Sequence, residues 1–158
     1  MISLPMSEMV GLIEEVISGD GEFRLYPKGT SMLPLIRQGK DSVILVKPGL
    51  LSIGDIILYK RKNGQFVLHR IIKIKGDNLI ICGDNQTMLE KGITVSDVIA
   101  KVKAIYIDEV RYDGVIGNKG NWYLKKLWLK RKFKPTYERI KRVIKNPSLI
   151  WRKIKGEK

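Results

Sequence analysis

The stretch "LYKRKNGQFVLHRII", residues 58–72, decides the fold. Two runs of β-forming residues flank Asn63-Gly64, a dipeptide whose backbone preferences suit a two-residue hairpin turn. The expectation is a hairpin with Asn63-Gly64 at its tip. Side chains alternate across a strand. His69 therefore shares a face with Val67 and Ile71, while Phe66, Leu68, Arg70 and Ile72 take the other. His69 is the single histidine of the chain, so any chemistry that needs an imidazole must use it. A histidine satisfied on a strand face is the plainer reading of the same residue, and both stay open at this point.

Working outward, the same texture continues from Phe23 to about Ile107. "SVILV", "DIILYK", "NLIIC" and "DVIAKVKAIYI" are rich in Val, Ile and Tyr. Pro48-Gly49, Gly76-Asp77-Asn78 and Gly83-Asp84-Asn85 separate them as turns. Many short strands with few helices predict a mainly β domain, a coiled sheet or partly open barrel. Before it, Met9, Val10, Ile13, Val16 and Ile17 recur at helical spacing, with Ser7 as a cap and Gly19-Asp20-Gly21 as a stop. After Gly120 the composition changes. "NWYLKKLWLKRKF" mixes aromatics with cations, and Tyr137, Ile140 and Ile144 form a helical stripe. The expected organisation is an N-terminal helix (1–21), a β-domain (22–118) and a basic, aromatic, helical tail (119–158).

A chain of 158 residues can bury a real core without metal or disulfide staples. Cys82 is the only cysteine, so no internal bridge can form, and it reads as a small core residue. Clusters of the metal-binding Cys/His type are absent from the sequence, and no metal or other cofactor is expected. No run reaches the ~20 apolar residues that span a bilayer. The first residues lack a basic start, and Glu8, Glu14 and Glu15 interrupt any signal-type apolar core, so export by an ordinary signal peptide is not expected. Charge is uneven. Residues 1–118 carry 15 Lys/Arg against 14 Asp/Glu, and residues 119–158 carry 15 against 2. The basic character belongs to the tail.

Two further patches carry chemistry. In "GTSMLPLIRQGKDSVILV", residues 29–46, Ser31 sits in a corner that Gly29 allows a substrate to approach closely and that Pro34 stiffens. A nucleophilic serine needs N–H groups aimed at the developing oxyanion and a base near neutral pH, for which histidine is the usual choice. In "CGDNQTMLEKG", residues 82–92, Asp84 and Glu90 are carboxylates able to orient an imidazole. The plain alternatives are a turn serine, an Asx turn at Asp84-Asn85 and a solvated Glu90.

Taken in order, these patches resemble the signal peptidase I and LexA-like peptidase clan over residues 22–107. "GTSMLPLIRQGKDSVILV" is similar to its serine motif, "LSIGDIILYKR" to its Gly-Asp strand, "VLHRIIKI" to its base-bearing strand and "GDNQTMLEKG" to its Gly-Asp-Asn box. His69-Arg70 resembles the Ser-His type of the endoplasmic reticulum and archaea, where other branches have lysine. The resemblance implies Ser31 as nucleophile, His69 as general base, Glu90 as the acid after the box and Asp84 as the acid within it. Gly29, Thr30 and Met32 would frame the oxyanion and substrate. This chain departs from the clan in four respects: Gly29 replaces a serine, Asp41 falls one place late, Glu90 replaces an aspartate, and no membrane anchor is seen.

The function expected is a serine endopeptidase that cleaves leader or signal-type peptides through a Ser31 acyl-enzyme. The alternative is a non-catalytic module of the same fold with a basic tail that binds a partner or nucleic acid. The partners expected are a peptide or precursor protein and, through residues 119–158, an anionic membrane surface. The plainer reading of the tail is helices that pack apolar stripes on the β-body with a solvated basic face, and nucleic acid is the least favoured tail partner. The location expected is the cytoplasm, with peripheral contact to a membrane.

Overall fold

Apolar runs separated by turns pair here as one antiparallel sheet. The computed structural model describes residues 6–114 together with Leu129 and Lys132. Helix α1 (Met6–Ser18) leads into β1 (Phe23–Leu25), β2 (Ser42–Val46), β3 (Ile56–Lys60), β4 (Phe66–Lys75), β5 (Asn78–Cys82) and β6 (Glu90–Thr94). A single 3-10 turn (Val95–Asp97) precedes β7 (Val98–Ile107) and β8 (Val110–Asp113). The sheet order is β1-β2-β7-β3-β4-β5-β6, with β8 paired to β7. No pairing joins β1 to β6, so the sheet is open. The mainly β class with one short leading helix is therefore as predicted. Ser7 lies inside α1 rather than capping it.

Period-2 alternation sorts the strands onto two cores. Ile56 and Leu58 of β3 join Val43, Leu45, Leu68, Ala100, Val102 and Ile105 on one face, which α1 covers with Ile13 and Ile17. Ile57 and Tyr59 join Ile71, Leu79, Ile81 and Ile93 on the other. Each fully buried Leu or Ile contributes roughly 1.5–3 kcal/mol, so both faces are held strongly. Register slips at Ile44/Leu45 and at Leu58/Tyr59. Such bulges bend strands and increase their twist.

The β3–β4 hairpin differs from expectation in its loop. Lys60 pairs with Phe66, Arg61 N–H donates to Gln65 O at 2.8 Å, and Gly64 N–H donates to Arg61 O at 2.9 Å. The loop is thus three residues, Lys62-Asn63-Gly64, with Gly64 left-handed at φ 84°. This is the turn that ends in a bulge, not a two-residue tip. Three short strands, β1, β6 and β8, were not singled out in the sequence.

The chain divides into two units, Met1–Asn121 and Trp122–Lys158. Leu129 and Lys132 are helical and exposed. The other tail residues on which membrane contact was expected lie outside the described residues. No described helix is long and apolar enough to cross a membrane.

Candidate active site

Ser31 stands in the long loop between β1 and β2. The loop is fastened at both ends. Met32 and Ile36 sink into the first core, and Ile36 N–H donates to Met32 O at 3.0 Å. At the far end Asp41 is wholly buried. It accepts from Arg37 Nε at 2.8 Å, Arg37 Nη2 at 2.7 Å and the Arg37 backbone N–H at 2.7 Å. Those hydrogen bonds hold its carboxyl down to about 2. Asp41 is therefore a loop fastener. Gly29, at φ 96°, gives its N–H to Gln38 Oε1 at 2.8 Å. The backbone N–H groups of Thr30, Ser31 and Met32 donate to no described residue. Thr30 is exposed, Ser31 half-buried, and Met32 buried at 4% exposure.

The Gly83-Asp84-Asn85 turn clasps this loop to β4. Asn85 N–H donates to Ser31 O at 2.7 Å, and Asn85 Nδ2 donates to Thr30 O at 3.2 Å. Asp84 receives Arg70 Nε at 2.9 Å and Nη2 at 2.8 Å, and Arg70 Nη1 donates to Gly54 O at 2.7 Å. Both members of this pair are about 1% exposed. Gly83 occupies the crowded centre. A Cβ there would lie 2.7 Å from Ser31 O, 3.0 Å from His69 Nε2 and 3.0 Å from Gln86 Oε1. The serine loop and the imidazole thus meet across Gly83, with Ser31 O and Nε2 within about 6 Å of each other.

His69 is 1% exposed on β4. Its Nδ1 is 3.2 Å from Tyr59 Oη and 3.8 Å from Glu90 Oε2. Tyr59 Oη donates to Glu90 Oε2 at 2.9 Å. Arg61 grips the same carboxylate through Nε at 2.7 Å and Nη2 at 2.6 Å. Burial lowers the His69 pKa to about 4, with Arg61 adding to the effect and Glu90 and Asp84 opposing it. The ring is therefore neutral at pH 7. Burial would raise Glu90, but hydrogen bonds from Arg61 and Tyr59 outweigh it and keep the carboxyl below its usual value. Burial first, then Glu90, raises the Tyr59 phenol. No described residue hydrogen-bonds Nε2, and no sealed side-chain nitrogen or oxygen lacks a partner among the described residues.

A cleft of about 600 Å³ runs past Ser31, lined by Lys28, Gly29, Met32, Phe66 and Leu68 among others. A second hollow of about 240 Å³ adjoins it through Pro27, Lys28, Phe66 and Leu68, with Met9 of α1 as part of its wall. Along this cleft, β4 pairs with β3 from residue 66, but with β5 only from residue 70. Residues 66–69 thus present one backbone edge with no strand partner among the described residues.

Of the residues expected from the sequence, Ser31, His69, Asp84 and Glu90 lie around Gly83 and Tyr59. Glu90 is the carboxylate beside Nδ1, whereas both Asp84 oxygens are engaged by Arg70. Gly29 is turned to Gln38. Tyr59, Arg61, Gly83, Asn85 and Gln86 were not anticipated as site residues. Gly83 and Asn85 carried a signal as members of the Gly-Asp-Asn turn, and Tyr59 as a residue of the strand run paired with that of His69. Among the described residues no three His, Cys, Asp or Glu side chains are grouped to hold a metal. No protein-family model, no curated protein and no solved structure matches the chain.

Proposed function

We propose that this chain is a serine endopeptidase of the signal-peptidase-like type. The observation that carries the reading is the meeting of the Ser31 loop and His69 Nε2 across Gly83. Ser31 Oγ attacks a peptide carbonyl as its proton passes to Nε2. The carbonyl oxygen, now negative, would be received by the backbone N–H groups of residues 30–32, which have no partner among the described residues. His69 returns the proton to the leaving amine, and a water activated by the same nitrogen hydrolyses the acyl-enzyme. In this structure Ser31 Oγ and Nε2 share no hydrogen bond. Substrate-bound geometry must bring them to about 3 Å, a tightening common when a Michaelis complex forms.

The substrate class is an extended leader or signal-type peptide. Its backbone would add to the open 66–69 edge, and its side chains would enter the two hollows beside Phe66 and Leu68. Residues 119–158 would hold the enzyme at an anionic membrane surface, on the cytoplasmic side. The second reading, a non-catalytic binding module, is favoured by the deep burial of His69 and the missing Oγ–Nε2 bond.

The test is mass spectrometry of a defined library of extended peptides incubated with wild type, Ser31→Ala and His69→Ala. The expected result is wild-type cleavage at a restricted set of bonds, lost in both variants while their circular dichroism is unchanged. Binding of peptides without cleavage by wild type would favour the module.

A further inference from the structure

We infer that Tyr59 is a positioning residue that sets the His69 tautomer: by committing its one phenolic proton to Glu90, it can only accept from the imidazole. The inference rests on the peptidase reading for its purpose, but its geometry stands alone.

The argument is a count of protons. An ionised carboxylate can only accept hydrogen bonds. Glu90 is held ionised by Arg61, which meets both its oxygens. The 2.9 Å contact between Tyr59 Oη and Glu90 Oε2 therefore consumes the one proton that the phenol has. Burial and Glu90 both keep that proton on the oxygen. Oη then has only lone pairs to offer Nδ1, 3.2 Å away. Nδ1 must carry the hydrogen, so the neutral ring has its lone pair on Nε2. Which nitrogen is protonated follows from the bond the other one makes. The lone pair consequently lies on the nitrogen that faces Gly83 and the Ser31 loop. An acid bonded directly to Nδ1 would do the same. Here a phenol stands between, with Nδ1 and the carboxylate 3.8 Å apart.

Because the phenol can point its proton either way, the arrangement has a signature that a merely structural tyrosine lacks. With Glu90 in place, Tyr59 accepts from Nδ1. Without that acceptor, the phenol is free to donate to Nδ1, and the hydrogen moves to Nε2. The base then faces Ser31 in the wrong form.

The experiment is nitrogen NMR of the full chain labelled with ¹⁵N-histidine, at pH 7. A single histidine makes the two ring signals unambiguous. Wild type is expected to show a protonated Nδ1 and a bare Nε2. Glu90→Ala is expected to move the population toward protonated Nε2, and Glu90→Gln, which keeps an acceptor oxygen, to restore protonated Nδ1. Tyr59→Phe is expected to give a mixture and to lower kcat/KM by about 10²-fold, within the ~10²–10⁴ that a general base contributes. A wild-type ring protonated at Nε2, or a tautomer unmoved by both Tyr59→Phe and Glu90→Ala, would overturn the inference. The expected tautomers without any peptide cleavage would instead sink the peptidase reading and leave this one standing.

Discussion

At the scale of single residues, the account turns on Gly83 and His69. Gly83 is needed for closeness: a methyl group there would collide with Ser31 O, Gln86 Oε1 and Nε2 at 3.0 Å or less. Gly83→Ala should push the serine loop off the imidazole. Overpacking of this kind costs about 1–3 kcal/mol, so urea unfolding should show a lowered midpoint, and cleavage should fall more steeply than stability explains. His69 gives a pH signature. Its surroundings are the Tyr59 phenol, the Glu90 and Asp84 carboxylates and the Arg61 guanidinium, and burial dominates them in lowering its pKa to about 4. The acid limb of kcat/KM reports the base in the free enzyme, so activity should persist below pH 6.5 and fall only toward about pH 4. Stability follows the same shift. Between about pH 6.5 and 4 the unfolded chain binds a proton at His69 that the folded chain refuses. Folding is therefore weakened as pH falls through that window, by about 1.4 kcal/mol for each unit of separation. His69→Gln should remove that part of the slope in urea titrations at stepped pH.

At the scale of elements, the Arg70–Asp84 pair ties β4 to the turn after β5. Both partners are sealed from solvent, and removing one member of a buried pair costs about 3–5 kcal/mol. Asp84→Ala should destabilise the fold by that order in chemical denaturation, whereas Glu90→Gln, at the half-exposed end of β6, should change the fold little. The hairpin shows how legible such relations were. The β runs, their alternation and the faces of β4 could be read directly, because apolar residues at period two have one physical explanation. The loop could not be read to within one residue, and that residue decides the site. A two-residue tip would pair Leu58 with His69. The three-residue loop pairs Ile57 with His69 and Tyr59 with Val67, which sets Tyr59 and His69 on one face. Edge strands were hidden for other reasons. β6 contains Gly92 and buries only Ile93, so it lacks alternation. The β7–β8 turn uses Asp108 and Glu109 at φ 48° and 63°, without glycine or asparagine. Their ion pairs to Arg37 and Arg24 come from far along the chain.

At the scale of the whole molecule, charge and chemistry are segregated: a nearly neutral β-domain holds Ser31 and His69, and residues 119–158 hold 15 of the 30 cations. If that tail meets anionic lipid, the full chain should co-sediment with vesicles containing phosphatidylserine but not with phosphatidylcholine alone. Binding should weaken as salt rises, since screening shortens to about 8 Å at physiological ionic strength. Equal sedimentation with both vesicles, or with neither, would count against a lipid role. The central claim concerns the β-domain, and one measurement reaches it most directly. A wild-type reaction with the cleavable peptide is quenched in acid and digested, and the fragment containing Ser31 is weighed. The account predicts a mass increase equal to the acyl half of the peptide, located on Ser31, and neither adduct nor products with Ser31→Ala. Products formed at the wild-type rate by Ser31→Ala would contradict it.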